Sequence, residues 1–266
     1  MNLNKIFLFP LILAVGMTAC TTIELRDANK QLTNFYSAKM QAKENNDWAV
    51  LGSTIESMNL LAQDAAMQAE KEKGNIQNRI SFYRIAATAA WQAGNKNAKT
   101  YAEKGSALCE GDNYNSAPRD CGMLMVIPYF ASVDEITNKF QDVHDKIMAT
   151  EPEQRNNYAH DAEAIFNDYQ AALISILDKR PQITSSMVHP DFITALDYNT
   201  GKLLCDRMET ETIGLIATAK GDRKKCKCEV YKLKLKAFDV GLRRSCVSCL
   251  DDSRKKIEEK EPQDCN

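Results

Sequence analysis

The chain has 266 residues, of which 34 are Lys or Arg and 36 are Asp or Glu, a formal net charge of -2 that excludes a dedicated polyanion binder or an acidic tail protein. An apolar share of 44% with 26% charged residues excludes collagen-like, intrinsically disordered and polytopic membrane classes and leaves a globular chain able to bury a core. With three histidines and 11 glycines, composition names no reaction.

The first segment, 1–19, reads as a targeting signal. Lys5 supplies one positive charge, and Ile6 to Met17 is a run of 12 apolar or small residues. That run is shorter than the roughly 20 residues a bilayer span needs, and it carries Pro10 and Gly16, so it predicts a signal-peptide core rather than an anchor. It leads directly into Met17-Thr18-Ala19-Cys20. This tetrapeptide resembles the lipobox of bacterial lipoproteins, which implies that Cys20 is lipidated and becomes the first residue of the mature chain. An ordinary signal peptide with an incidental cysteine is the alternative. Cysteine parity favours the lipid: the chain has nine cysteines, and assigning Cys20 to a thioether leaves an even set that can pair in an oxidising periplasm. Thr21 is not the Asp that retains enteric lipoproteins at the inner membrane, so the resemblance implies an outer-membrane, periplasm-facing location. Several acyl chains would hold it there, each buried methylene contributing about 0.8 kcal/mol.

The mature chain divides by composition near Gly201. Residues 21–200 carry 17 Lys+Arg and 24 Asp+Glu and hold Cys109 and Cys121; residues 201–266 carry 16 Lys+Arg and 12 Asp+Glu and hold six cysteines. A helical region over 20–200 and a basic, cysteine-rich region over 201–266 are expected, packed together because no low-complexity linker separates them.

Region 20–200 predicts one helix after another, an all-α fold. Ile23, Leu25, Ala28, Leu32, Phe35 and Tyr36 return at spacings of three and four. Asp47 is an expected N-cap for a second helix carrying Trp48, Leu51, Ile55, Met58, Leu61 and Ala65. An alanine-rich third helix runs from about Asn75 to Gln92, Gly94-Asn95 breaks it, and Lys96 to Leu108 forms a fourth. Trp48, Leu51 and Gly52, with Phe82 following Trp48 after 34 residues, resemble the opening and period of a tetratricopeptide-type repeat over 46–108. A generic alanine-rich bundle is the other reading.

The stretch from Cys109 to Cys121 is turn-forming throughout, and its cysteines are expected to form a disulfide clasp. Ser132 to Glu135 has the spacing of a capping box before Ile136, Phe140, Val143 and Ile147. Thr150 to Glu153 repeats that spacing, with Pro152 in the first turn, before Tyr158, Ala162, Ile165, Tyr169, Ala172 and Ile176. Together these predict an antiparallel helical hairpin.

In the last region, Tyr231 to Ala237 alternates apolar residues with Lys232, Lys234 and Lys236, the period-two pattern of a half-exposed strand. Leu242 to Ser248 is its candidate hairpin partner, and Leu203 to Ala219 and Asp251 to Lys260 predict helices. Cys226-x-Cys228 and Cys246-x2-Cys249, with Cys205 and Cys265 near in sequence, leave three readings open: structural disulfides, a tetrahedral metal site, or a redox-active dithiol. Lys220 to Lys236 carries a net charge of +6, which suits anionic lipid or an acidic protein surface, or is simply a solvated face kept from edge pairing by lysines.

Catalytic patterns are absent. His144-Asp145 and His160-Asp161 with Glu163 lack the Glu-x-x-His order of di-iron bundles, and no His-Glu-x-x-His zinc helix or Gly-x-Ser-x-Gly elbow occurs. His189-Pro190 reads as a turn. No catalytic residue, resident metal, cofactor, small-molecule substrate or nucleic-acid partner is assigned. The expected role is a lipid-anchored, non-enzymatic module that docks a protein partner in the envelope. The competing reading is a metal-binding or thiol-redox protein acting through Cys226, Cys228, Cys246 and Cys249.

Overall fold

The computed structural model describes residues 23–185, 190–242, 250, 253–263 and 265. The lipobox-like segment with Cys20, together with His189, Cys246 and Cys249, lies outside the described residues. The described residues are predominantly helical and contain no strand, so the chain is all-α. Two compact units form, one from residues 1–131 and 185–193, the other from 132–184 and 194–266.

The first unit contains α1 (Ile23–Glu44), α2 (Trp48–Lys71), α3 (Ile76–Gln92), α4 (Asn97–Ser106), the single turn α5 (Asp112–Ser116) and the first part of α6 (Pro118–Ala149). Asp47 caps α2, its carboxylate accepting from the Val50 N–H at 3.0 Å, and Asn75 caps α3 through the Asn78 N–H at 3.1 Å. Helix α3 is the hub, touching α1, α2 and α4. Ala86, Ala87, Ala89 and Ala90 are all buried, since a helix apolar on every side is stable only when surrounded. Alanines and Gly105 set the close approach: a Cβ at Gly105 would stand 2.7 Å from Leu124 and 2.8 Å from Tyr83. Trp91 stacks on Phe130 with ring centroids 5.3 Å apart. One polar cluster survives inside, where Arg84 meets Asp120 at 3.1 Å and also reaches Asn29, while Ser81 donates to Asp120. With three partners the buried charges are mutually satisfied.

The tetratricopeptide resemblance fails on α2. A repeat needs two short helices where α2 runs unbroken for 24 residues, and Trp48 is 71% exposed whereas Phe82, its supposed equivalent, is 3% exposed. The two ring positions share a spacing and nothing else.

Neither capping box starts a helix. Ser132 to Glu135 lies inside α6, which begins at Pro118 and carries Pro128 in its interior. Buried Leu124, Val126, Ile127 and Phe130 carry the helix through this point, so packing overrides the local start signal. Thr150 caps backwards, its hydroxyl donating to the Lys146 carbonyl at 2.7 Å. The next α-helix begins at Ala159, after a 3-10 turn over Arg155–Tyr158. The segment between Cys109 and Cys121 also holds more helix than expected, namely α5 and the start of α6.

The second unit holds the end of α6, α7 (Ala159–Lys179), the helical run from Thr194 onward, α10 (Arg223–Asp239) and the short α11 (Arg254–Glu258). Within that run, α8 (Pro190–Lys202) passes into a ten-residue π-helix, Leu203–Thr212, and then into α9 (Ile213–Thr218). The Thr210 and Thr212 hydroxyls donate to the carbonyls of Cys205 and Arg207, five residues back, following the wider π register. The compositional step at Gly201 falls inside this continuous helix rather than between the compact units. Phe166, Tyr169, Leu173 and Leu177 of α7 pack with Leu204, Met208 and Ile216 to form the core.

The expected β-hairpin is not present. Tyr231 to Ala237 belongs to α10, and its proposed partner lies largely outside the described residues. Cys226, Cys228, Val230, Leu233 and Ala237 are the buried residues; four of them, Cys226, Val230, Leu233 and Ala237, are spaced four, three and four, so the period-3.6 pattern over the whole segment outweighs a seven-residue alternation. Gly241, at φ 91°, lies just past the helix end, where a left-handed backbone favours glycine.

Candidate functional site

Helix α10 carries the expected basic face, and its local chemistry is sequence-encoded. Asp222 caps it, accepting from the Lys224 N–H at 2.8 Å. As a helix, however, α10 cannot project Lys232, Lys234 and Lys236 together, because the middle residue lies about 200° from its neighbours. Each lysine instead finds its own carboxylate: Lys232 meets Glu229 at 3.0 Å, Lys234 meets Glu209 at 2.5 Å, and Lys236 pairs with Asp178. Three of the eight cations between Lys220 and Lys236 are thereby paired with acids of the same unit.

A different face of α10 forms a cleft. Lys227, Val230, Tyr231 and Lys234 recur at spacings of three, one and three, which places them on one side. Glu209 and Ile213 from the preceding helical run, and Ile257, Lys260 and Pro262 from the C-terminal segment, complete a cleft of about 360 Å³. Its C-terminal wall is tied to α10 by the disulfide Cys228–Cys265, with Cα atoms 5.3 Å apart. Burial pushes the Tyr231 phenol above its ordinary range, with Glu261 and Glu258 adding to the effect.

A second cleft, of about 470 Å³, runs between Phe140, His144 and Met148 of α6, Arg207, Thr210 and Glu211 of the π-helix, and Leu215 of α9. Arg207 lies over the Phe140 ring, 6.0 Å from its centroid, and pairs with Glu211. His144 Nδ1 stands 3.1 Å from Asp145, and hydrogen bonds from His144 and Gln141 hold that carboxyl below its usual range. The polar groups of this cleft therefore mostly satisfy one another. Glu163 accepts from the Asp222 backbone N–H at 3.2 Å. Among the described residues no group of three His, Cys, Asp or Glu side chains is placed to hold a metal ion.

The cysteines separate into distinct roles. Cys109 and Cys121 are bonded as expected, and both side chains are buried. Cys205 is disulfide-bonded, and Cys228 pairs with Cys265. The spacing Cys226-x-Cys228 suggested a shared task, yet the two part company. Cys226 is a free, buried thiol whose sulfur donates to the Asp222 carbonyl at 3.6 Å. Burial, reinforced by Glu163 and Asp222, pushes it up to about 11, so it stays protonated and a poor nucleophile near neutrality.

Sequence reasoning missed both clefts. The signal for the first was present in Lys227, Val230, Tyr231 and Lys234, once their segment is read with a period of 3.6. The second depends on the π register of Leu203–Thr212, for which the sequence offers no recognised marker. No family model, curated protein or solved structure matches the chain. No helix among the described residues is long and apolar enough to cross a membrane.

Proposed function

We propose that the protein is a lipid-anchored lipoprotein of the bacterial outer membrane, facing the periplasm, and that it works as a non-enzymatic protein-interaction or envelope-assembly module. The observation that carries this reading is Met17-Thr18-Ala19-Cys20 placed directly after a short apolar core. The disulfides Cys109–Cys121 and Cys228–Cys265 support it, because such bonds persist in oxidising compartments outside the cytoplasm. The anchor supplies the membrane contact, and the helical units supply the surface for a protein partner. Neutralisation of Lys232, Lys234 and Lys236 by Glu229, Glu209 and Asp178 weighs against electrostatic attachment to anionic lipid as the main contact. The metal or thiol-redox alternative is less well supported, since Cys228 is tied up in a disulfide and Cys226 is a protonated, buried thiol.

The test is metabolic labelling with a radiolabelled fatty acid, followed by membrane fractionation. The wild-type chain is expected to take up label and sediment with outer membranes, while Cys20→Ser accumulates as an unlabelled precursor. Normal maturation and labelling of Cys20→Ser would refute the anchor.

A further inference from the structure

We infer that the α1–α2 turn, with Trp48 at its tip, enters the interfacial layer of a lipid bilayer and makes a second, non-covalent membrane contact. The choice of a bilayer as occupant rests on the anchoring role proposed above; the shape and chemistry of the turn stand without it.

The turn projects from its unit. Residues 43–50 are all exposed. The neighbouring α3–α4 turn stops short of it: Asn95 donates to Asn59 at 2.8 Å, a point 11 residues along α2 from Trp48, or about 16 Å at the helical rise. On α1, the Lys39 ammonium meets the Gln92 carbonyl at the end of α3, which leaves the last turn of α1 beyond that end. Trp48, 71% exposed, and Val50, 44% exposed, therefore stand clear of the core.

The surface of the turn gives up water readily. From Trp48 to Ile55 no residue is charged. The Ser53 and Thr54 hydroxyls both donate to the Val50 carbonyl, at 3.1 and 2.7 Å, and the Ser57 hydroxyl donates to the Ser53 carbonyl at 2.9 Å. Asp47 already accepts from the Val50 N–H. These groups keep their partners when water leaves, which a lipid environment demands of polar groups, whereas a protein interface supplies donors and acceptors of its own. An indole on such a surface has the amphipathic chemistry that places tryptophan at membrane–water interfaces.

The anchor supplies the geometry. Cys20 precedes Ile23 by three residues, and α1 runs 22 residues, about 33 Å, from there towards the turn. A lipid at Cys20 and an indole at Trp48 attach α1 at both ends and lay it along the bilayer surface. A single indole binds weakly alone, but the tether converts its insertion into an intramolecular step.

Tryptophan fluorescence tests this. The chain has two tryptophans, and Trp91 is buried and stacked on Phe130, so quenching by lipid reports Trp48. Full-length wild-type protein is reconstituted in phosphatidylcholine vesicles carrying lipids brominated near the head of the acyl chain. Trp48 is expected to be quenched by these lipids, shielded from aqueous acrylamide, and indifferent to high salt. Val50→Glu places a carboxylate in the first turn of α2, where the helix dipole favours it, so the fold should persist while the lipid quenching is lost. Fatty-acid labelling of the same preparation reports the anchor separately. Labelled protein whose Trp48 stays open to acrylamide overturns the insertion, leaves the anchor standing and assigns the exposed indole to a protein partner. Unlabelled protein whose Trp48 is quenched by lipid overturns the anchor and leaves the insertion. Lipid quenching that high salt abolishes, or that Val50→Glu leaves unchanged, also overturns the insertion.

Discussion

Individual residues show how burial changes chemistry that spacing suggests. Cys226 and Cys228 stand two apart on α10, yet one is a protonated thiol and the other half of a disulfide. The free thiol titrates near 9.0 in the unfolded chain and at about 11 in the fold, so the native state holds its proton more tightly. Its contribution to stability is complete below pH 9 and is lost as the pH rises to about 11. Thermal melts of wild type and Cys226→Ala should therefore converge over that interval, with the gap between them widest below pH 9. A constant gap would mean that Cys226 does not titrate as its burial requires. At the same scale, Arg84 is nearly buried in the first unit, where Asp120 and Asn29 satisfy it, and this cluster gives no sign of itself in the linear sequence.

At the scale of the element, α10 shows two periodicities competing for one segment. Lys232, Lys234 and Lys236 alternate with apolar residues as in a strand, but Cys226, Val230, Leu233 and Ala237 define a longer helical stripe that the core takes up. The helix gives each lysine a separate partner, and the consequences of reversing them differ accordingly. Lys234, whose side chain is 15% exposed, would as glutamate face Glu209 across the cleft. The triple change Lys232→Glu, Lys234→Glu and Lys236→Glu should cost about 2 kcal/mol, mostly at Lys234, whereas Lys232→Glu alone should cost no more than about 0.5 kcal/mol. Denaturant unfolding of the two variants separates these values, and equal midpoints would contradict the pairing of Lys234 with Glu209.

At the scale of the whole molecule, each of the two disulfides described at both ends lies within one unit. Cys109–Cys121 closes a short loop in the first unit, and Cys228–Cys265 spans 37 residues in the second. On the chain-entropy model these contribute about 3 and about 4 kcal/mol, by limiting the unfolded ensemble. Cys109→Ala with Cys121→Ala should keep the helical circular dichroism signal at 25 °C while lowering the melting temperature by roughly 6–12 °C. An unchanged melting temperature would show that this bond adds nothing to stability.

The sequence by itself determined the all-α class, the starts of α2 and α3 at Asp47 and Asn75, and the pairing of Cys109 with Cys121. Caps and the spacing of apolar residues act within a few positions, and a bond between cysteines twelve apart is still local. Only the tertiary structure decided the length of α6, the helical state of Tyr231 to Ala237, the π register of Leu203–Thr212, and the partner of Cys228. Each depends on which distant surface buries the segment. The capping signal at Ser132 gave way to buried neighbours on both sides, and the lysine alternation gave way to a longer apolar stripe. The cleft joins side chains from Glu209 to Pro262, and no local pattern places them together.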